Sequence, residues 1–315
     1  MGLQINKALV TGGAGFIGSH LVDALVQSGC AVTVLDSLTT GHVENLASVR
    51  DRVDFVQGDI RDDDALDRCM PGCDVVFHQA AVVSVTQTVQ DPVTSARVND
   101  LGTIQVLDAA RRHGVRRVVL ASSSAVYGDA PQLPKTESMI PAPMSPYAVQ
   151  KLTNEYYAAL YGRLYELEAV CLRYFNVYGP RQDPSSPYSG VISIFMSRAL
   201  QAQAPVIHGD GNQTRDFVFV GDVVQANLLA ATHADAPGRI FNVGTSQSVA
   251  INALWQSIAA LAGVAVGVQY GNSRMGDILH SLSSIQRARE ILGFQPEVRF
   301  EEGLRRTFDW YRQGR

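Results

Sequence analysis

The chain is short of charge. Only 18% of its 315 residues are Asp, Glu, Lys or Arg, and 26 basic against 30 acidic side chains leave a formal net charge of −4. That balance argues against a protein that holds nucleic acid by broad phosphate neutralisation. Long hydrophobic runs are missing too. No apolar stretch reaches the roughly 18–20 residues that cross a bilayer, so no membrane association is expected. No charged head, apolar stretch and small-residue cleavage site opens the chain. Asn6 stands where a myristoylation signal needs Ser or Thr. Cysteine is scarce: Cys30, Cys69, Cys73 and Cys171, with three residues rather than two between the middle pair and no nearby histidine to complete a zinc set. No metal is expected, and reduced thiols fit a cytoplasmic protein. Internal repeats and low-complexity tracts are also lacking. What remains is a 46% hydrophobic composition, too apolar for disorder. The length suits about two domains and can bury a core without staples.

Apolar runs alternate with helical patterns. Strands are predicted at Lys7–Thr11, Ala31–Leu35, Asp54–Gln57, Val75–His78, Val118–Ala121 and Ala169–Tyr174. Helices are predicted at Gly15–Ser28 and Asn99–His113, and an amphipathic one near Glu301–Tyr311. Strand and helix alternating at this spacing imply an α/β fold with a parallel, doubly wound sheet. After Tyr178 the texture changes, and Gly179, Pro180, Pro184, Pro187 and Gly190 mark loop. The expectation is a nucleotide-binding domain at 1–176 plus about 216–243, and a smaller lobe at about 177–215 and 244–315. Phe217-Val218-Phe219-Val220 is apolar enough to return to the first lobe's sheet.

The strongest local signal is Thr11-Gly12-Gly13-Ala14-Gly15-Phe16-Ile17-Gly18, after a strand and opening a helix. Glycines there allow a tight turn, close approach of backbone to a pyrophosphate, and packing of helix on strand. The helix N-terminus offers free N–H groups to the phosphates. Asp36 closes the second strand, 18 residues after Gly18. A carboxylate there accepts from a ribose diol and repels a 2′-phosphate, and no arginine follows in Ser37-Leu38-Thr39-Thr40, so the cofactor is read as NAD rather than NADP. Tyr147 and Lys151 stand four apart and share a helix face. An ammonium and a positive nicotinamide would favour the phenolate, which could take a proton from an alcohol as hydride leaves its carbon. Ser122-Ser123-Ser124 ends the fifth strand, where a parallel sheet presents its ligand crevice.

Together with Ser122-Ser123-Ser124-Ala125-Val126-Tyr127-Gly128 and Arg173-Tyr174-Phe175-Asn176-Val177-Tyr178-Gly179-Pro180, these motifs resemble the extended short-chain dehydrogenase/reductases, and among them the nucleotide-sugar 4-epimerases. The resemblance spans essentially the whole chain. It implies a catalytic Ser123, Tyr147 and Lys151, an adenine-binding pair Asp59-Ile60, a cofactor-lining Gln79-Ala80-Ala81, and an Asn99 that fixes the nearby loop. It implies further cofactor contacts at Gly12, Gly15, Phe16, Ile17, Gly18, Asp36, Ser37, Leu38, Gly41, Ser122, Tyr174 and Val177. Substrate contacts are implied at Asn176, Ser84, Ser124, Val191 and Asp277, with Arg215 and Arg274 on the diphosphate of a UDP-sugar, where forked donors suit phosphate. A homodimer through two helices per subunit is also implied, roughly 99–113 and 147–163. On the second, Ala148, Leu152, Tyr156, Ala159 and Leu160 form either an interface or core.

Dehydratases and decarboxylases of this family carry acidic residues at the end of strand five; here stand Ser123-Ser124-Ala125. Without that carboxyl, elimination lacks its acid, which favours redox epimerisation at C4. Seven residues beyond Arg274, at the position that in the resembled 4-epimerases gates the sugar's C2 substituent, stands Ser281. A small residue there admits an acetamide, so UDP-N-acetylglucosamine is the expected substrate, with UDP-glucose also accommodated because space alone does not reject a smaller sugar. Alternatives are a 4-epimerase of UDP-glucuronate or its N-acetylated analogue, and a non-catalytic NAD(H)-binding regulator.

Overall fold

The computed structural model describes residues 4–183, 190–272 and 278–314. Its strands are β1 (Lys7–Thr11), β2 (Ala31–Asp36), β3 (Val53–Gln57), β4 (Val75–His78), β5 (Arg117–Ser123), β6 (Glu168–Tyr174), β7 (Asn176–Tyr178), β8 (Val206–His208), β9 (Thr214–Arg215), β10 (Phe217–Phe219), β11 (Ile240–Val243), β12 (Val249–Ala250) and β13 (Gln269–Gly271). The helices are α1 (Phe16–Gln27), α2 (Asp63–Cys69), α3 (Val85–Gln90), α4 (Pro92–Ala96), α5 (Gly102–Arg112), α6 (Pro146–Tyr165), α7 (Val191–Leu200), α8 (Val220–Thr232), α9 (Ile251–Ala262), α10 (Gln286–Leu292) and α11 (Phe300–Arg312).

Seven strands form one parallel sheet in the order β3-β2-β1-β4-β5-β6-β11. Successive residues of a strand point to opposite faces, and the core divides accordingly. Val10, Phe77, Val119 and Leu172 enter one apolar cluster, whereas Leu9, Val76, Val118 and Cys171 enter the other. Both faces are covered, which is why these strands read as unbroken apolar runs. The four cysteines are free and buried. The winding reverses between β1 and β4, so the crevice opens at their carboxyl ends, Thr11 and His78.

A third cluster gathers Phe195, Met196, Trp255, Leu304, Phe308 and Tyr311. Here one expectation fails. Phe217–Phe219 does not return to the large sheet: it pairs in parallel with β7, and the strand that does return is β11. The aromatic side chains explain the difference. The Tyr178 ring meets Phe217, Phe219 and Phe300 edge to face at 5.7 to 6.3 Å, a preferred aromatic geometry that draws the run into the third cluster.

Capping sets the helices that matter for the site. The Ser145 hydroxyl accepts from the Ala148 N–H (3.2 Å) and Pro146 fills the first turn, so α6 starts immediately before Tyr147. The helix expected from Asn99 begins regularly only at Gly102, because Arg97–Leu101 form a π-helical turn. Such turns often mark functional segments. Among the described residues no helix is long and apolar enough to cross a membrane, and no cluster of three or more His, Cys, Asp or Glu could hold a metal ion.

Candidate active site

Close contacts shape the turn after β1. The Gly12 N–H donates to the Leu35 carbonyl (2.8 Å) and Gly12 adopts a positive φ of 69°. A Cβ there would lie 2.7 Å from the Ala80 nitrogen, and a Cβ at Gly18 only 2.1 Å from the Gly12 oxygen. Neither position accepts a side chain. Gly15 caps α1 without a side-chain bond. The N–H groups of Phe16, Ile17 and Gly18 precede the first helical bond, from Ser19 N–H to the Gly15 carbonyl (3.0 Å), and form an anion-receptive end.

Asp36 stands beside this turn, buried at the end of β2. One oxygen accepts from the Ala14 N–H (2.9 Å) and the other from the Leu38 N–H (2.8 Å). Gly41 packs so closely that a Cβ there would meet the carboxylate at 2.8 Å. The side chain thus ties the glycine turn to the 37–41 loop, where the Ser37 and Thr39 hydroxyls also pair (2.9 Å). Further along, Arg61 grips the Asp59 carboxylate (2.7 Å) and holds it below the usual carboxylate range. Ile60 is buried against Gly102.

At the other side of the crevice a chain of hydrogen bonds runs in one direction. The Ala80 N–H donates to Thr11 Oγ1 (3.4 Å), which meets His78 Nδ1 (2.8 Å). His78 Nε2 meets Thr103 Oγ1 (2.9 Å), which donates to the Asn99 carbonyl (2.6 Å). Because Thr103 spends its proton on a carbonyl, His78 must carry its own on Nε2. Burial, aided by the Lys151 charge, pushes His78 down to about 3, so the ring is neutral. The Asn99 side chain clamps Val82 through both backbone groups (2.8 and 2.9 Å) and donates to Gln150 (2.7 Å). Ala81 lies in the intervening coil. Ser84 is buried and its hydroxyl caps α3 by accepting from the Gln87 N–H (3.0 Å). Gln79, Tyr174 and Asn227 form a further polar knot, with the Tyr174 hydroxyl 3.0 Å from Asn227 Oδ1 and 3.3 Å from Gln79 Oε1. Burial drives the Tyr174 phenol up to about 12.

Ser123, Tyr147 and Lys151 converge. Ser123 ends β5, its Oγ accepts from the Ala125 N–H (3.1 Å), and it hydrogen-bonds the Tyr147 side chain. Burial raises Tyr147 above its ordinary value, and the Ser123 bond opposes that rise. Lys151 lies one helical turn on, 5.9 Å from the Tyr147 ring centroid, and its Nζ donates to the Ala121 carbonyl (2.8 Å). Desolvation brings Lys151 down to about 8, against opposing contributions from Cys171, Asp100 and Glu155, so the ammonium prevails at neutral pH. A phenol, a hydroxyl and a cation in contact can exchange a proton with an alcohol or carbonyl. Ser122 does not join this trio: its hydroxyl is engaged as a donor to Glu155 (2.5 Å). Ser124 opens the short 3-10 turn Ser124–Tyr127.

The opposite wall is assembled from distant segments. The Asn176 N–H donates to the Asp216 carbonyl (3.0 Å) as β7 meets β10, with Val177 next in the strand. Val191 opens α7. Arg215 and Ser281 share a neighbour, since the Arg215 guanidinium and the Ser281 N–H both donate to the Thr214 carbonyl (3.0 Å each). Arg274 and Asp277 lie outside the described residues. Four contributors escaped the sequence reading: His78, Asn227, Glu155 and Asp216. Fully buried Asp216 accepts five hydrogen bonds, from Thr245, Ser246 and Ser283. The available signal for it was a carboxylate beside an apolar strand.

A family model described as the NAD dependent epimerase/dehydratase family matches residues 8–244. The chain belongs to that family. The UDP-glucose 4-epimerase of Mycolicibacterium smegmatis is 43% identical over 312 residues, covering 97% of this chain and 98% of the relative. Among solved structures, the UDP-N-acetylglucosamine 4-epimerase of Methanobrevibacter ruminantium, in complex with UDP-N-acetylmuramic acid, superposes with a TM-score of 0.95 at 39% identity, covering 99% and 100% of the two chains. The NAD complex of the Thermus thermophilus UDP-glucose 4-epimerase gives 0.89 at 41% identity, covering 97% and 99%. The family's cofactor fits the residues present. Gly12 and Gly18 let the turn and the start of α1 pack backbone against backbone, the N–H groups of Phe16, Ile17 and Gly18 stand ahead of the first helical bond and can receive a pyrophosphate, and Asp36 lies beside them with, among the described residues, no cation bonded to its carboxylate. The chain is an NAD-dependent isomerase with the extended short-chain dehydrogenase/reductase fold.

Proposed function

We propose that this protein is a UDP-sugar 4-epimerase that interconverts UDP-N-acetylglucosamine and UDP-N-acetylgalactosamine, with UDP-glucose and UDP-galactose as further substrates. The contact of Tyr147 with Ser123, beside buried Lys151 and with no carboxylate at positions 123–125, carries the reading. NAD would supply the hydride acceptor at C4 and return the hydride to the opposite face. Tyr147, helped by the Lys151 charge, takes the C4 hydroxyl proton, and Ser123 holds that oxygen. The same phenol gives the proton back after the 4-keto sugar turns. Arg215 and Asn176 are assigned to anchoring the nucleotide diphosphate, Val191 to another contact with the substrate, and small, buried Ser281 to leaving space at C2.

The proposal includes two lobes, 1–176 with 216–243 and 177–215 with 244–315. It also includes a homodimer through α5 and α6. Ala148 belongs to the core, but Tyr156, Ala159 and Leu160 are exposed on α6, as are Leu164 and Tyr165. An apolar row of this kind is what a partner surface would cover.

The test is product analysis of the purified protein with each UDP-sugar and no added cofactor. Conversion to the galacto epimers supports the reading, and the ratio of the two rates weighs Ser281. No conversion of either sugar by NAD-loaded protein would overturn the substrate assignment and turn attention to UDP-uronic acids.

A further inference from the structure

One group of buried charges that the chemistry above does not use is centred on Glu155. It stands on α6 one turn beyond Lys151 and two beyond Tyr147, so the three share a helix face. Its Oε1 accepts from Ser122 Oγ (2.5 Å) and from Arg173 Nε (2.8 Å), and its Oε2 from Arg173 Nη2 (2.6 Å). All three side chains are buried. Arg173 also lies 4.7 Å over the Tyr127 ring, and among the described residues Arg173 Nη1 has no hydrogen-bond partner.

Stability alone is a poor reason for such a group. Apolar residues of the same shape generally hold a core as well as a buried ion pair does, because desolvation offsets the attraction. What the carboxylate does uniquely is join three elements that each carry a residue of the site. Ser122 precedes Ser123 on β5, Arg173 precedes Tyr174 on β6, and Tyr147 and Lys151 stand on α6 itself. Ser122 and Ser123 are joined by one peptide bond at the very end of β5. Pulling Ser122 toward α6 therefore sets how Ser123 is presented to the crevice.

We propose that Glu155 is a positioning residue for the reaction: through the Ser122 hydroxyl it fixes the end of β5 so that Ser123 meets Tyr147. This rests on the epimerase reading above. The Ser123 bond favours the Tyr147 phenolate, so loosening it moves the Tyr147 titration to higher pH. The other groups facing the phenol are Lys151 on α6 and Tyr174 on β6. Facing Lys151 in turn are Asp100, Glu155, Cys171 and His78. Removing the Ser122 hydroxyl changes none of these charges.

The variants are Ser122→Ala, which cuts the link but keeps the ion pair, and Ser122→Thr, which restores the hydroxyl. Glu155→Gln is secondary, since an unpaired Arg173 could prevent folding. Ser122→Ala is expected to lower kcat about tenfold, in keeping with the sensitivity of catalysis to small misplacements, with KM and bound NAD unchanged. Its Tyr147 phenolate, read by ultraviolet difference titration against Tyr147→Phe, should titrate at higher pH, and Ser122→Thr should recover both readouts. A Ser122→Ala protein with the parental kcat and titration overturns the proposal. So does one that loses NAD and kcat together, which marks a merely structural link. The titration needs no substrate, so a parent protein inactive on every UDP-sugar would sink the epimerase reading and still leave Glu155 tested.

Discussion

The two walls of the crevice are built differently. On the cofactor side the defining contacts are local: Gly18 packs on Gly12, Asp36 reaches Ala14 and Leu38, and Tyr147 and Lys151 stand one turn apart. On the substrate side the contacts span long stretches of chain. Arg215 and Ser281 meet through Thr214, and Asp216 gathers Thr245, Ser246 and Ser283. The glycine turn and the start of α6 are thus short motifs, tied to the rest of the crevice by longer bonds such as Thr11 to His78 and Gly12 to Leu35. The side assigned to the substrate comes together only when distant segments of the chain fold onto one another.

Substitutions can break or sharpen that contrast. The largest effect is expected from Tyr147→Phe, which removes the proton carrier. Turnover should fall by about 10²–10⁴ while NAD released on denaturation stays at the parental amount; lost NAD would mean the residue holds the cofactor instead. Gly18→Ala comes next. Its methyl would sit 2.1 Å from the Gly12 oxygen, an overpacking expected to cost about 1–3 kcal/mol and to strip bound NAD. Thermal melting with a nucleotide assay checks both. On the other wall, Arg215→Ala should raise KM for the UDP-sugar roughly tenfold through the loss of a charge-assisted contact, with NAD content untouched. Equal KM values would remove Arg215 from the diphosphate site. The smallest effect is expected from Ser281→Tyr, which should shift the rate ratio toward UDP-glucose by about tenfold in a competition assay.

The same contrast governs what the sequence revealed. Strand periodicity, the glycine turn and the Tyr147/Lys151 spacing are local physics, so the doubly wound sheet and that pair could be read directly, whereas Ser123 was singled out among three serines only by the family resemblance. The Phe217 run misled because four apolar residues carry no information about which sheet they join. Ser122 could not be separated from its neighbours either, since its direction depends on Glu155, 33 positions away. His78 and Asn227 hide for a related reason: a polar residue inside an apolar strand or helix looks like noise until its partners are known. The π turn before α5 contains Asn99, whose side chain holds Val82, a partner 17 positions back that local patterning does not reveal.

The hydrogen-bond chain from Ala80 to Asn99 makes His78 a built-in spectroscopic probe. One tautomer is enforced from both ends, and the ring stays neutral until about pH 3. Its two nitrogens should therefore give one sharp pair of nitrogen-15 resonances, protonated at Nε2 and bare at Nδ1, unchanged across the working range of the enzyme. Unfolding below the ordinary histidine value of 6.5 would take up one proton at this ring, so native stability should decline as the pH falls from there toward 3. Because Thr11 and Ala80 flank the glycine turn, any movement of those resonances when nucleotide is added would report directly on closure of the crevice around it.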